Sequence, residues 1–141
     1  MNTVSGEHPL KHASGEQSLA PVSKESPLGH YVWGNHCDGW NLVDNADLSV
    51  KMERMPPHTT EQLHFHQRSR QFFFILKGTA VFETEEGRIE VKARQGLEIR
   101  PQLRHRILNE GEEDLEFILC SQPSTTGDRV HTGEPSDSDR R

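Results

Sequence analysis

Positive charge is scarce in this chain: 16 lysines and arginines stand against 22 aspartates and glutamates, for a net charge of −6. A general binder of nucleic acid or of an anionic membrane wants a basic face, so neither class is expected. Apolar residues are also few. Hydrophobic residues make up 31% of the 141 and aromatics 6%, and the mean hydropathy is −0.80, too little for the whole chain to surround one core. The longest apolar run is Phe72-Phe73-Phe74-Ile75-Leu76, far short of the ~20 residues a membrane-spanning helix needs. Cysteine is nearly absent, and Cys37 and Cys120 make neither a disulfide framework nor a CxxC site. The glycines stand singly, so no phosphate-cradling loop is present, and no serine sits on a sharp strand-to-helix turn. The segment before Gly29 has no apolar stretch and no arginine, so no secretory or transit signal is expected and the protein reads as cytoplasmic.

The apolar residues that do occur lie mostly between Leu28 and Cys120. Residues 1–27 and 122–141 are rich in Ser, Gly, Pro and mixed charge with no helix or strand period, so both are expected as largely disordered tails. Residues 28–121 carry short runs of β-branched and aromatic residues between turn signals, the pattern of an all-β sandwich or barrel. Leu48, Val50 and Met52 alternate with polar neighbours, which predicts a strand with those three facing inward. Pro56-Pro57 breaks that ladder. Strands are expected at 63–66, 71–77, 79–84, 88–92, 97–100, 105–109 and 114–121, with a hairpin at Glu85-Glu86-Gly87. Trp33 to Trp40 reads as a turn covering one end of the barrel, and Cys120 as a small buried residue.

His64 and His66 are two apart. In a strand that spacing points both imidazoles to one face and Phe65 to the other. Two converging neutral imidazoles suit Fe, Ni, Cu or Zn. An HxH pair alone also fits a solvent-facing polar pair on an edge strand.

The spacing around the pair is more specific. Four residues separate His66 from Gln71, and six more lead to Gly78. Further on, Ile99-Arg100-Pro101-Gln102-Leu103-Arg104-His105 is followed, three residues later, by Asn109. This resembles the two-part signature of the cupin superfamily, whose first motif sets a glutamate and a glycine behind an HxH pair and whose second contains I-P-P-G-V-P-H. The run from Gln71 to Gly78, with Ser121-Gln122-Pro123 and Gly127-Asp128-Arg129-Val130 after the last strand, looks like a group of small single-domain cupins that carry the glutamine form. Three departures stand out: Gln71 replaces the family's glutamate ligand, Gln102 its glycine, and no glycine leads the first motif near Pro57-His58.

The resemblance implies a double-stranded β-helix, or jelly roll, with His64, His66 and His105 as ligands to a divalent transition metal (Fe, Mn, Ni, Zn or Cu) and Gln71 as a fourth. A glutamine amide is neutral, so the cation's charge stays uncompensated and favours an anionic ligand at its open positions. Strand parity places Phe73, Ile75 and Ile107 on inward faces, which predicts an apolar pocket for a small organic anion. Arg68 and Arg70 are candidates to clamp a carboxylate at its mouth, and His58 and Glu61 are candidate proton-transfer groups. Family members commonly dimerise, so a homodimer is expected. The functional classes this leaves are a metal-dependent oxygenase or isomerase, a small-ligand sensor without turnover, and a sugar-phosphate isomerase or epimerase, the last needing basic groups at the mouth.

Overall fold

The computed structural model describes residues 17–132, and in these the chain forms strands, turns and bends but no helix. None of the described residues forms a helix long and apolar enough to cross a membrane. Twelve strands follow in order: β1 (Gly29–Trp33), β2 (Cys37–Asp44), β3 (Ser49–Met55), β4 (Thr59–Thr60), β5 (His64–His66), β6 (Arg70–Lys77), β7 (Thr79–Thr84), β8 (Gly87–Lys92), β9 (Gly96–Ile99), β10 (His105–Asn109), β11 (Leu115–Gln122) and β12 (Arg129–His131). They make two sheets, β1-β2-β3-β11-β6-β9 and β12-β5-β10-β7-β8, with β4 added to β10. Every pairing is antiparallel. The fold is an all-β jelly roll, as the cupin resemblance implies.

Alternation decides which residues fill the barrel. Along β6, Gln71, Phe73 and Ile75 are buried while Arg70, Phe72 and Leu76 are exposed. Along β11, Leu115, Phe117, Leu119 and Ser121 are buried. The core packs Phe73 against Phe82 and Phe117, at ring separations of 4.9 and 5.7 Å, with Trp33, Met55, Ile75, Ile107 and Leu115 around them.

On β3 the expected parity is inverted. Ser49, Glu53 and Met55 are buried, whereas Leu48 is exposed and Val50 and Met52 are half-buried on the opposite face. Val50 and Met52 of β3 belong to an outer stripe, with Trp40 and Ile118 beside Met52 and with Val43 and Cys120 beside Val50. Cys120 is therefore half-buried on this outer face, not a core residue. The segment before β1 reaches the same face. Lys24 sits 5.2 Å above the Trp40 ring and 3.7 Å from Glu116. The stretch from Trp33 to Trp40 is the tight end of the β1–β2 hairpin, with Trp33 and Cys37 inside the barrel.

Residue 121 does not close the ordered part of the chain. β11 extends to Gln122, and β12, within the expected C-terminal tail, pairs with β5 by matching Arg129 to His66 and His131 to His64. Residues 17–27, expected as tail, are held by bonds such as Gln17 Nε2 to the Leu42 carbonyl (3.2 Å). The remainder of both expected tails, 1–16 and 133–141, lies outside the described residues.

Two of the missing family glycines leave a trace in the backbone. His58 has φ of 63° and Gln102 of 72°, so the turns keep a left-handed conformation that glycine adopts freely and other residues adopt at a cost. Gly78, at φ of 84°, is retained; a Cβ there would lie 2.9 Å from the Asp114 carbonyl oxygen. Urea unfolding checks both turns. Gln102→Gly is expected to raise stability by ~0.5–1 kcal/mol, and Gly78→Ala to lower it by ~1–3 kcal/mol.

Candidate metal centre

β5 and β10 lie side by side with His64 opposite His105. The two-residue period of β5 then brings His66 to the same face. All three imidazoles are buried, at 1% exposure for His64 and His105 and 3% for His66. Their rings are 4.4 to 6.0 Å apart, and one nitrogen of each lies within 4.8 Å of the others. That is the scale of a single ion's coordination sphere, with metal–nitrogen bonds of ~2.0–2.1 Å. Gln71, at the start of β6 in the other sheet, is also buried, on the inward face of its strand.

Hydrogen bonding decides which atoms are on offer. The Nδ1 of His64 lies 2.9 Å from the Gln62 carbonyl, and that of His105 lies 2.8 Å from the Leu103 carbonyl. A carbonyl oxygen only accepts, so both Nδ1 atoms carry the proton and both Nε2 atoms keep a lone pair. His66 has neither ring nitrogen bonded among the described residues. Gln71 donates from Nε2 to Ser121 Oγ (3.1 Å), while its Oε1 is buried without a partner among the described residues. A buried polar atom left unsatisfied costs ~1–3 kcal/mol, and a cation beside these nitrogens and the amide oxygen would satisfy them together. The donor set fits a transition metal.

Charge is excluded from this innermost layer. Burial pushes the pKa of His64 down to about 2, against the attraction of Glu61, with Arg129 and His105 adding to the drop. Burial likewise pushes His66 down to about 3, aided by His105 and Arg129. Both are neutral at physiological pH.

The charges sit one layer out. Glu61 is fully buried, with one carboxylate oxygen 4.0 Å from His64 Nδ1. It accepts from the Ile107 N–H and from Arg129, each at 3.3 Å. Arg129 also lies 3.2 Å from His64 Nδ1. Asp128 approaches His66 Nδ1 to 4.0 Å and receives the consecutive N–H groups of Gln67, Arg68 and Ser69 at 2.9–3.1 Å. Burial alone would raise the Asp128 pKa; the Ser69 and Arg68 contacts outweigh it and hold the carboxyl below its usual range. Those three residues are the turn between His66 and Gln71, so Asp128 sets the spacing of two candidate ligands. Ser69 Oγ, donating to the Pro123 carbonyl at 2.7 Å, ties down the same turn.

Several expected site residues fall elsewhere. Arg70 is on the outward face of β6 and pairs with Glu98 at 2.6 Å, because inward Gln71 and Phe73 force their neighbour out. Arg68 is largely exposed, its guanidinium 3.5 Å from Asp128. Neither arginine clamps a ligand in the barrel. His58 is a surface residue 3.1 Å from Glu112, not a proton-transfer group beside the histidines. Glu61 reaches the site but is committed to Arg129 and the Ile107 N–H. Phe73 borders it, with its ring 6.4 Å from that of His105, while Ile75 and Ile107 are fully buried in the packed core. Asp128 and Arg129, noted only as part of a sequence resemblance, are the residues whose roles went unread.

A barrel of this topology enclosing a cluster of histidines defines a class of protein, and comparison places the chain within it. Residues 51–121 match the cupin domain model, half of the chain, and the protein belongs to the cupin family. It is 28% identical over 83 residues to the uncharacterized protein MJ1618 of Methanocaldococcus jannaschii, a match covering 59% of this chain and 66% of that one. Among solved structures it is similar to a cupin-superfamily sugar phosphate isomerase from Silicibacter pomeroyi (TM-score 0.66, 10% identity, 82% of this chain and 93% of the other). A predicted oxalate decarboxylase from Thermotoga maritima is also similar (TM-score 0.59, 22% identity, 70% and 87%). At these identities the structural likeness establishes the fold alone.

The two depressed histidines make stability depend on pH. Unfolding returns each to an ordinary pKa near 6.5, so the unfolded chain binds more protons and stability falls as pH drops below that value. The slope is up to ~1.4 kcal/mol per pH unit for each histidine. For metal-free protein, the urea midpoint is expected to be flat above pH 7 and to fall between pH 6.5 and 5. A midpoint constant across that window contradicts the assignment.

Proposed function

We propose that the protein binds one divalent transition metal through His64, His66 and His105, with the Gln71 amide oxygen as a fourth ligand, and that this centre takes a small organic anion. One observation carries the reading: three buried imidazoles converge while both nitrogens of His66 and the Oε1 of Gln71 lack any partner among the described residues. A packed core would not leave those atoms unsatisfied.

A bound cation polarises the oxygens of a chelated anion, the chemistry that metal-dependent oxygenation and isomerisation share. The chain's own contribution is to hold that chemistry in place. The Gln62 and Leu103 carbonyls fix the tautomers of His64 and His105. Asp128 fixes the turn that carries His66 and Gln71. All four ligands are uncharged, which leaves the cation's full charge to attract an anion. Glu61 and Asp128 carry the nearest negative charges, and each is held by its own partners, Arg129 for one and backbone N–H groups for the other.

A sugar-phosphate isomerase reading has less support, because Arg68, Arg70 and Arg104, the basic groups it needs at the barrel mouth, are all exposed and Arg68 and Arg70 pair with Asp128 and Glu98. A binding module without turnover uses the same metal and anion and differs only in showing no product.

Elemental mass spectrometry of untagged protein tests the metal. Near-stoichiometric iron, manganese, nickel, copper or zinc is expected in the wild type and its loss in His64→Ala/His66→Ala. An empty wild-type site that also refuses added metal contradicts the proposal.

A further inference from the structure

The inward face of β11 is apolar at Leu115, Phe117 and Leu119, and the pattern then breaks at Ser121. Ser121 is 2% exposed, in a place where the alternation calls for an aliphatic residue, and a buried hydroxyl is costly unless it is bonded. It lies directly across from Gln71 of β6, whose neighbour on the other side is Ile99 of β9. The Ile99 side chain forms no hydrogen bond. Of the two side chains that flank Gln71 across the sheet, Ser121 is therefore the one that can serve its amide.

That amide has two unlike ends, an oxygen that accepts and a nitrogen that donates. Gln71 is 4% exposed, so both ends depend on what the interior offers. Nε2 donates to Ser121 Oγ at 3.1 Å, and Oε1 has no partner among the described residues. Only the oxygen end can meet a cation. With the oxygen so used, the buried N–H groups need an acceptor on the opposite side, and Ser121 Oγ is in place to be it. Turned end for end, the amide would present its N–H groups inward, where they repel a cation.

We infer that Ser121 is a positioning residue for the metal centre: it takes the nitrogen end of the Gln71 amide and so leaves Oε1 as the end that a cation meets. This inference rests on the metal-site reading above and extends it to a residue outside the ligand set. Without the hydroxyl, metal-free protein can hold the amide either way round. Metal-bound protein cannot, and must bury the N–H groups without an acceptor. The cost falls on the bound state and reads out as lost metal affinity. A carboxylate at position 71 has an oxygen at each end and no wrong orientation, so Gln71→Glu relieves the dependence on Ser121.

Ser49 supplies the control. It is the next residue of the same cross-strand row, opposite Ser121 on β3, and is equally buried, but its Oγ has no partner among the described residues. Full-length protein freed of metal is titrated with Co²⁺ against a competing chelator, and the visible spectrum of the bound ion is recorded. Ser121→Ala and Ser121→Val are expected to bind Co²⁺ ~10-fold or more weakly than wild type, the range set by an unsatisfied buried donor, with a spectrum altered by loss of the fourth ligand. Ser121→Thr, which has the shape of valine and keeps the hydroxyl, and Ser49→Ala are expected to stay within ~2-fold of wild type, the scatter of sites that do not interact. In a Gln71→Glu background the effect of Ser121→Ala is expected to shrink to the same ~2-fold. Wild-type affinity in Ser121→Ala, equal losses in Ser121→Thr and Ser121→Val, or an undiminished loss beside Gln71→Glu overturns this inference alone. A loss in Ser49→Ala as large as in Ser121→Ala assigns the effect to packing and overturns it as well. Wild-type protein that binds no Co²⁺ overturns the metal-site reading and this inference with it.

Discussion

Charge is costly inside a barrel this small, and the arrangement of the molecule follows from where it is put. Three imidazoles packed within 6.0 Å of one another, ring to ring, cannot all be protonated in a dry interior. Desolvation holds His64 and His66 neutral, and neutral imidazoles are what a transition metal requires. Each buried acidic group is hydrogen-bonded locally: Glu61 to Arg129, Asp128 to the backbone of residues 67–69, Glu53 to the Tyr31 hydroxyl. The interior is therefore polar, with its buried carboxylates held by hydrogen bonds.

The segment after β11 does more than end the fold. Asp128 grips the turn between two candidate ligands, and Arg129 is hydrogen-bonded to Glu61 beside His64. β12 covers the edge of β5 that would otherwise be unpaired. A site assembled from residues 61–71 and 105 is held in shape by residues 123–132, so loosening that segment would disturb the histidines without touching them. Substitution of Gln71 for the family's glutamate fits the same plan. Its amide both donates to Ser121 and offers an oxygen inward, which a carboxylate could not do.

Much of this was legible from residue order, and the failures share one cause. The HxH spacing, the strand at 105–109 and the turn at Gly78 are local signals, read from period two and from glycine, and the two glycine departures left their left-handed backbone behind at His58 and Gln102. Faces were harder. Leu48, Val50 and Met52 follow an apolar-inward rule that fails on β3, because an outer stripe around Trp40 and Ile118 takes the apolar side chains and the inner wall takes Ser49, Lys51 and Glu53. Arg70 fails by the same alternation that placed Gln71 correctly inside. Asp128 lies about sixty residues from the N–H groups it accepts, and no local pattern announces such a contact.

X-ray absorption spectroscopy of protein loaded with a single transition metal tests the central claim most directly, because it counts the imidazoles around the ion. The account predicts the scattering of three histidines in the wild type and of two in His105→Ala. A shell of oxygen ligands alone, or a spectrum that His105→Ala leaves unchanged, would contradict it.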